Sequence, residues 1–405
     1  MRMEPTAEDQ TRRRYRYVLR YVLAVGGMEF FAFKVLDPYY LQFMTTDRGL
    51  NLSPTQFGAF VSLASGVTLA TDYLTGAFAD KLGRRTSWAI AMFLYGGGML
   101  WLSSVNGFVA ALATAVCMGA CSAFASGARE AWLYDTVGEE GMRQGFGKLY
   151  LYGVPMAVAG ALVATALGAL GSVRIPIAAT GLLVLADGLF ILTFPENYGG
   201  ASSRSWLEVM KAGARQFLRS RILWLTALQS FFMTLPVWIT SAWWVTYLST
   251  EFHVDVAGVA LAFGITATAA AVAGACLARM RATEYTRLIL YPTLLMAVAF
   301  LLMPLAPSPA LFVPLVMAAI ACGYFRTSGI TLLENEQIAE ERATALSFLS
   351  SLRSGFWMAG PMLWAALIGR VGLKVTFACA AVACALSLGI LAGTLRLRKV
   401  ARGAP

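Results

Sequence analysis

The sequence predicts an all-α polytopic membrane protein of twelve transmembrane helices, arranged as two pseudo-symmetric six-helix bundles. Of its 405 residues, 58% are hydrophobic and only 13% are charged, whereas a soluble domain usually carries about 25% charged residues. Apolar runs of about 20 residues, the length that crosses a bilayer as a helix, recur from one end of the chain to the other. The short alternating segments of a transmembrane β-barrel do not occur in the sequence.

Twelve apolar segments carry this prediction, and only the connection at the centre of the chain is long. The segments lie near residues 18–43, 55–78, 86–105, 108–134, 147–170, 174–194, 222–249, 255–279, 286–305, 309–333, 345–368 and 374–395. The central connection mixes apolar residues with basic ones such as Lys211 and Arg215, which predicts an amphipathic helix at the membrane interface. The predicted domains are therefore 1–194 and 222–405, with the linker 195–221 between them.

Lysine and arginine are concentrated in alternate loops and at both ends of the chain. The richer set includes Arg12, Arg13, Arg14, Arg16, Lys81, Arg84, Arg85, Arg143, Lys148, Arg279, Arg281, Arg342, Arg396 and Arg398, whereas the other loops hold only Arg48, Arg174, Arg370 and Lys374. Because basic loops stay on the cytoplasmic side, both termini are predicted to be cytoplasmic, in an inner or plasma membrane. This topology requires an even number of spans, which agrees with twelve. It also accounts for the net charge of +10 without nucleic-acid binding.

The sequence indicates neither an enzyme nor an ATP-driven pump. Its one histidine, His253, lies in a predicted loop, and its six cysteines all lie in apolar runs, where cysteine is usually a small buried hydrophobe. No Gly-x-x-x-x-Gly-Lys-Ser/Thr phosphate-binding loop occurs. We therefore expect no cofactor and no metal; the expected partners are a small-molecule substrate, protons and the lipid bilayer, and the expected state is a monomer.

The loop between the second and third predicted helices has a distinctive pattern of glycines and charges. It reads Gly-Ala-Phe-Ala-Asp-Lys-Leu-Gly-Arg-Arg, in which glycine permits a tight turn and the charged residues can reach partners on other helices. The loop resembles the signature of the major facilitator superfamily, Gly-x-x-x-Asp-Arg/Lys-x-Gly-Arg-Arg/Lys. The named positions of that signature are filled by Gly76, Asp80, Lys81, Gly83, Arg84 and Arg85.

The resemblance implies a transporter whose two halves rock around a central site. In this family the first of the two final basic residues, which is Arg84 here, typically engages an acid at the cytoplasmic end of helix four. Asp135 lies at that position in this sequence. The resemblance thus implies an Asp80–Arg84–Asp135 latch that holds the outward-open state. The corresponding segment of the second half, 274–281, lacks the aspartate and the second glycine, so a matching latch with Glu334 is expected to be weaker.

Ionisable residues within the predicted spans are costly in lipid and usually functional. Helix one, which lines the central cavity in this family, carries Glu29, Lys34 and Asp37. Lys34 and Asp37 are three residues apart and can pair, and Glu29 lies about 80° around the helix from Asp37. Two acids in helix one resemble the arrangement in multidrug/proton antiporters, so Glu29 is the predicted proton carrier. The alternative, in which Lys34 or another base satisfies Glu29, stays open.

The remaining candidates for the substrate cavity or proton coupling lie on other spans. Asp72 is predicted to titrate or to pair with Arg353, and Arg326 is predicted to be an anion ligand or a counter-ion. Arg129 could equally extend to the membrane interface. Asp187 is discounted, because helix six is peripheral in this family. The full set is Asp72, Arg129, Glu130, Gln229, Trp238, Arg326 and Arg353.

The predicted function is secondary active transport by alternating access, with proton-coupled export of an amphipathic small organic molecule. The aromatic and polar residues of helix seven suit such a substrate, although an aromatic belt at the membrane interface is the competing explanation for Trp243, Trp244 and Tyr247. Two alternatives remain. One is proton-coupled uptake of an organic anion held by Arg326 or Arg353, and the other is a non-transporting receptor or flippase on the same scaffold.

Overall fold

The computed structural model describes residues 7–126, 128–198, 215, 217–218, 220–277, 286–337 and 342–401. Every regular element in these ranges is helical. The α-helices are α1 (Ala7–Val22), α2 (Phe30–Thr45), α3 (Pro54–Leu82), α4 (Arg84–Ser104), α5 (Phe108–Ala125), α6 (Ala128–Gly168), α7 (Arg174–Ile191), α8 (Arg221–Trp238), α9 (Trp244–Glu251), α10 (Val256–Leu277), α11 (Tyr291–Leu302), α12 (Pro309–Gln337) and α13 (Arg342–Ala401). Wider π-helical turns join α1 to α2 (Leu23–Glu29) and α8 to α9 (Ile239–Trp243), and a third precedes α11 (Thr286–Leu290).

The predicted all-α fold is confirmed, since each of the twelve predicted spans coincides with helix. Within the described ranges, six helical stretches are long and apolar enough to cross a membrane, as judged by length and composition. They are Phe108–Ala125, Arg174–Ile191, Arg221–Ser241, Leu288–Leu305, Pro309–Thr331 and Ser351–Leu397. The last of these covers most of the predicted span 345–368 and all of the predicted span 374–395. Two shorter apolar helices are Pro155–Gly168 and Ala257–Thr266.

Two long helices are interrupted at glycines. The backbone is non-helical at Gly138 in α6 (φ 74°) and at Gly372 in α13 (φ 75°), a region of φ that glycine enters without steric cost. The break in α13 separates the last two spans as predicted. After the break in α6 the helix resumes at residue 139, whereas the predicted apolar segment begins near 147, because the intervening residues are helical but polar.

Some predicted features lie outside the described residues. The predicted interfacial helix of the linker is one of them, because residues 199–214, 216 and 219 are not described. The basic residues Arg279 and Arg281 of the second-half loop are also outside the described ranges. The predicted boundaries of the linker and the predicted second latch therefore stay predictions.

The chain forms two compact units, and each includes part of α3 and part of α10. Unit 1 comprises Met1–Asn51, Val67–Ala201 and Val256–Gly264, and unit 2 comprises Leu52–Gly66, Ser202–Asp255 and Ile265–Pro405.

Large aromatic side chains fill the core of unit 1. The ring of Trp88 on α4 lies 6.2 Å from that of Trp132 on α6 and 5.8 Å from that of Phe194, which follows α7. Trp132 and Phe194 are 5.0 Å apart, and Tyr21 of α1 adds a fourth ring at 5.8 Å from Trp88. Tilted and edge-to-face rings at these distances attract one another beyond simple burial, so this cluster ties four elements together.

Unit 2 has a similar aromatic contact at one end. Tyr247 of α9 lies 5.0 Å from both Phe312 of α12 and Phe377 of α13, measured between ring centroids. All three side chains are buried. The contact fixes α9 against α12 and the second part of α13, while α8 packs along the first part of α13 through residues such as Phe231 and Phe356.

The start of α4 is held by a carboxylate that follows α7. One oxygen of Glu196 accepts a hydrogen bond from the backbone N–H of Arg85 (2.8 Å), and the other accepts from the N–H (3.2 Å) and the hydroxyl (2.5 Å) of Thr86. The first N–H groups of a helix lack internal partners and favour negative charge. Glu196 therefore caps α4, and a β-carbon added at Gly83 would lie 2.5 Å from either carboxylate oxygen.

We expect Gly83→Ala to lower the melting temperature of the purified protein strongly, for two reasons. Gly83 has φ 112°, where a β-carbon costs about 1–3 kcal/mol, and the clash with Glu196 adds an overpacking cost of about 1–3 kcal/mol. Gly107→Ala is the matched control, because Gly107 also precedes a helix with positive φ (92°) and has no heavy atom within 4 Å of its added β-carbon. Equal losses of melting temperature in the two variants would contradict the role of Glu196.

Candidate functional site

Unit 2 contains a cavity of about 220 Å³ between α8, α12 and α13. One part of its wall is polar and carries two guanidinium groups, and the rest is apolar and aromatic. This combination of a few convergent polar groups with apolar walls is typical of small-molecule sites. The wall is formed by Gln229, Ser230, Met233, Thr234, Val237, Arg326, Thr327, Ile330, Thr331, Arg353, Phe356 and Trp357.

Arg326 is the most deeply buried charged group of this wall, with 6% of its surface exposed. Its Nη2 donates a hydrogen bond to the side-chain oxygen of Gln229. Gln229 is itself fixed, because its amide nitrogen donates to the carbonyl of Thr226 (2.7 Å) and its oxygen also accepts from the hydroxyl of Ser387 (3.2 Å). The Nε of Arg326 has no hydrogen-bond partner among the described residues, so one donor of this buried guanidinium is unsatisfied.

Arg353, the second guanidinium of the wall, pairs with Glu334 of α12. Their side chains are 2.5 Å apart, and the residue Glu334 is only 1% exposed. This pair was not predicted from the sequence, which suggested Asp72 as a partner of Arg353. Asp72 is exposed and lies beside the hydroxyl of Ser126. With two guanidinium groups and one carboxylate, these three groups carry a net charge of +1.

A second charged cluster lies in unit 1 and is centred on Glu29, which ends the first π-helical turn and is 4% exposed. Arg129 of α6 lies 3.0 Å from one carboxylate oxygen of Glu29, and the indole of Trp88 donates to the other at 3.2 Å. Glu29 is thus satisfied by a base, which is the alternative that sequence analysis left open. Arg129 extends to Glu29 and not to a membrane interface.

Asp187 of α7 is buried next to this cluster. It is 0% exposed, neither of its carboxylate oxygens has a hydrogen-bond partner among the described residues, and the charges that act on it are those of Glu29 and Arg129. The sequence led us to discount Asp187 as peripheral, but the structure shows that its side chain is fully buried, because a helix at the periphery of a bundle still has an inward face. The signal that could have found it is a carboxylate within an apolar span.

The other acid of helix one has a local partner, as its spacing predicts. Asp37 lies 2.6 Å from the ammonium of Lys34. That ammonium also lies 5.9 Å from the ring centroid of Phe263, within the range of a cation–π contact. The pair on α2 therefore forms without Glu29.

Trp238 packs in an aromatic cluster and is not part of the cavity wall. Its ring stacks on Phe57 at 6.1 Å and meets Trp243 edge-on at 5.5 Å. Trp243, Trp244 and Tyr247 are each at most 3% exposed. An interfacial belt, which exposes its rings to the headgroup region, is therefore the wrong explanation for these three residues.

The structure shows the central contact of the predicted latch. The guanidinium of Arg84 pairs with Asp135 and also donates to the carbonyl of Ala131 at 3.0 Å. Gly76 lies within α3 and Lys81 near its end, where its side chain is exposed. The side chains of Asp80 and Glu130 lie outside those that the structure describes, so the contribution of Asp80 stays a prediction.

Solved structures of membrane transporters share this fold at low sequence identity. The chain is similar to the nucleoside transporter NupG (14% identity, 93% of this chain and 99% of that chain, TM-score 0.78). It is also similar to the human organic anion transporter TETRAN (17%, 93% and 99%, 0.64) and to a D-xylose–proton symporter (15%, 92% and 97%, 0.69). No curated protein sequence matches the chain significantly.

The family follows from the sequence itself. The profile described as Major Facilitator Superfamily matches residues 22–290, which is more than half of the chain. The match includes the loop before α4, the Arg84–Asp135 pair and the cluster around Glu29. The chain belongs to the Major Facilitator Superfamily of membrane transporters.

Proposed function

We propose that this protein is a proton-coupled secondary transporter of a small amphipathic organic anion, and that the cavity of unit 2 binds the anionic group. Its family supports secondary transport as the class of function. The observation that carries the substrate class is the buried guanidinium of Arg326, whose Nε lacks a partner among the described residues.

An anion satisfies the requirements of this cavity. A buried donor without a partner costs about 1–3 kcal/mol, and a carboxylate or similar group can accept from a guanidinium with a strong, charge-assisted hydrogen bond. Arg353 adds a second positive group, and only one of the two charges is balanced by Glu334. The aromatic side chains of Phe356 and Trp357 offer apolar surface to the rest of the ligand.

If the cavity serves the uptake of an anion, that uptake must be coupled to protons. A membrane potential that is negative inside opposes anion entry by about 2.3 kcal/mol per charge per 100 mV, so accumulation of an anion needs protons that move with it. Export of an amphipathic molecule against proton entry is the second candidate, and the aromatic wall formed by Phe356 and Trp357 supports it.

We expect a small aromatic carboxylate to raise the melting temperature of the purified protein, whereas the carboxamide of the same molecule does not, since only the carboxylate is charged. Arg326→Gln should weaken carboxylate binding by about 10- to 100-fold, which corresponds to the loss of a charged hydrogen bond of about 1.5–3 kcal/mol. Binding is measured by isothermal titration calorimetry across a series of such acids.

Lys374→Gln is the matched control for that substitution, because it removes a positive charge of unit 2 from an exposed pair with Glu251, where the charge contributes little. If the Arg326→Gln variant binds the carboxylates as tightly as the wild type does, Arg326 is not the anion-binding residue. A series in which carboxamides stabilise the protein as well as carboxylates would remove the anionic substrate class.

The direction of transport is tested in proteoliposomes with an imposed proton gradient. We expect a labelled carboxylate from the binding series to accumulate on the side toward which protons flow, because the two move together. Movement against the proton flow would instead establish the export mechanism. Absence of flux, with binding retained, would favour a receptor on the same scaffold and contradict transport.

We also propose that the Arg84–Asp135 pair acts as a latch for the outward-open state, as the family resemblance implies. The pair links the start of α4 to the middle of the first part of α6, and the Asp135 side chain is 36% exposed. An ion pair of this exposure is worth about 0–1 kcal/mol, which is too little to lock a state but enough to shift an equilibrium several-fold.

We expect Asp135→Asn to change the transport rate about two- to five-fold, the effect of a shift of up to about 1 kcal/mol between states, with a small change in melting temperature. Glu251→Gln provides the control, since it breaks the similarly exposed Lys374 pair and should leave the rate unchanged. A normal rate in Asp135→Asn, measured as counterflow of the labelled carboxylate, would rule out the latch.

A further inference from the structure

Asp187 and Glu29 are two buried carboxylates, and the charges of both Glu29 and Arg129 act on Asp187 although only Glu29 pairs with Arg129. Glu29 holds that guanidinium at 3.0 Å and also accepts from the indole of Trp88. The two oxygens of Asp187 have no such donor among the described residues. The two acids therefore lie in very different surroundings although they are close enough to interact.

These surroundings determine which acid carries a proton. A buried ionised carboxylate without a hydrogen-bond donor is strongly destabilised, and such a group takes up a proton to become neutral. Glu29 has a cation and a neutral donor, and both favour its ionised form. With Asp187 neutral, the cluster of three groups carries no net charge, as its apolar surroundings require.

We propose that Asp187, and not Glu29, carries the coupling proton of this transporter. This inference rests on the proton coupling of the proposed function and names Asp187 as the residue that carries the proton. In the described arrangement Asp187 is protonated and Glu29 is paired with Arg129. When Asp187 releases its proton, the cluster becomes singly negative, and Arg129 is drawn toward both carboxylates.

Among the side chains that the structure describes on the elements packed against α7, Arg129 is the cation whose charge acts on Asp187. The elements that pack against α7 are α2, α4, α6 and the first π-helical turn, and Glu29 and Arg129 supply the charges that act on Asp187. Tyr95 of α4 is a further titratable group, and its ring packs on Phe33. Other described charged contacts on these elements include Lys34 with Asp37, Arg84 with Asp135, Arg85 with Glu196, Lys148 on the ring of Tyr15, and Arg174 on the ring of Phe43.

The position of the cluster links proton release to the latch. Trp88, which holds Glu29, lies one turn after Arg84 on α4. Arg129, which holds the other oxygen of Glu29, lies on the same stretch of α6 as Asp135. Asp187 is fully buried here, so its proton can leave only when these helices separate enough to admit water. Such a separation strains the Arg84–Asp135 contact, which gives proton release a route to the conformational change.

The test that does not depend on transport is infrared spectroscopy of the purified protein near neutral pH. We expect a carbonyl band of a protonated carboxylic acid that shifts when all aspartates carry a ¹³C-labelled side-chain carboxyl, and that does not shift when glutamates are labelled. The band should disappear in Asp187→Asn and persist in the control Asp37→Asn, because Asp37 has a cationic partner in Lys34. If the Asp187→Asn variant folds poorly, the labelled wild-type protein still shows whether the protonated acid is an aspartate or a glutamate.

A band that shifts only with glutamate labelling, or that persists in folded Asp187→Asn, would overturn the proposal. In proteoliposomes, Asp187→Asn should retain counterflow of the labelled carboxylate but lose accumulation driven by a proton gradient. Retained accumulation would also overturn it. If the wild type binds and exchanges the carboxylate but never responds to a proton gradient, the proton coupling of the proposed function fails. The infrared band would then still show whether Asp187 carries a proton, because that measurement does not depend on transport.

Discussion

The structure depends on one constraint, which is that a charge buried among apolar helices needs a partner. Removal of a charge from water without one is too costly for a marginally stable fold. Glu29 therefore lies against Arg129, Glu334 against Arg353, and Arg326 against the oxygen of Gln229. Each of these contacts joins two helices, so the partners that the buried charges need also position the helices.

This constraint is incompletely met at some buried groups of the described residues, two of which belong to the proposed sites. The Nε of Arg326 and the carboxylate of Asp187 are buried without hydrogen-bond partners among the described residues. The first group lacks an acceptor and the second lacks a donor, so an anion suits one and a proton suits the other. Arg326 lies in unit 2 and Asp187 in unit 1.

Contacts that are local, or that follow a known loop pattern, were predictable from the sequence. The pair of Lys34 and Asp37 follows from helical spacing, and that of Arg84 and Asp135 follows from the family resemblance of the loop. The contacts of Glu29 with Arg129 and of Glu196 with the start of α4 span 100 and about 111 residues of sequence. Spacing carries no information at such distances, because the register of two packed helices is set by the fit of all their side chains.

The sequence by itself determined the helical membrane architecture, because the free energy of burying apolar runs in lipid depends on composition and length. It also determined the family, through the charged loop before α4. Only the tertiary structure decided which ionisable groups pair, which of them share the cavity of unit 2, and that Asp187 faces inward. These are properties of side-chain direction and helix register. A rotation of α7 by about half a turn would expose Asp187, and the amino-acid sequence would be the same.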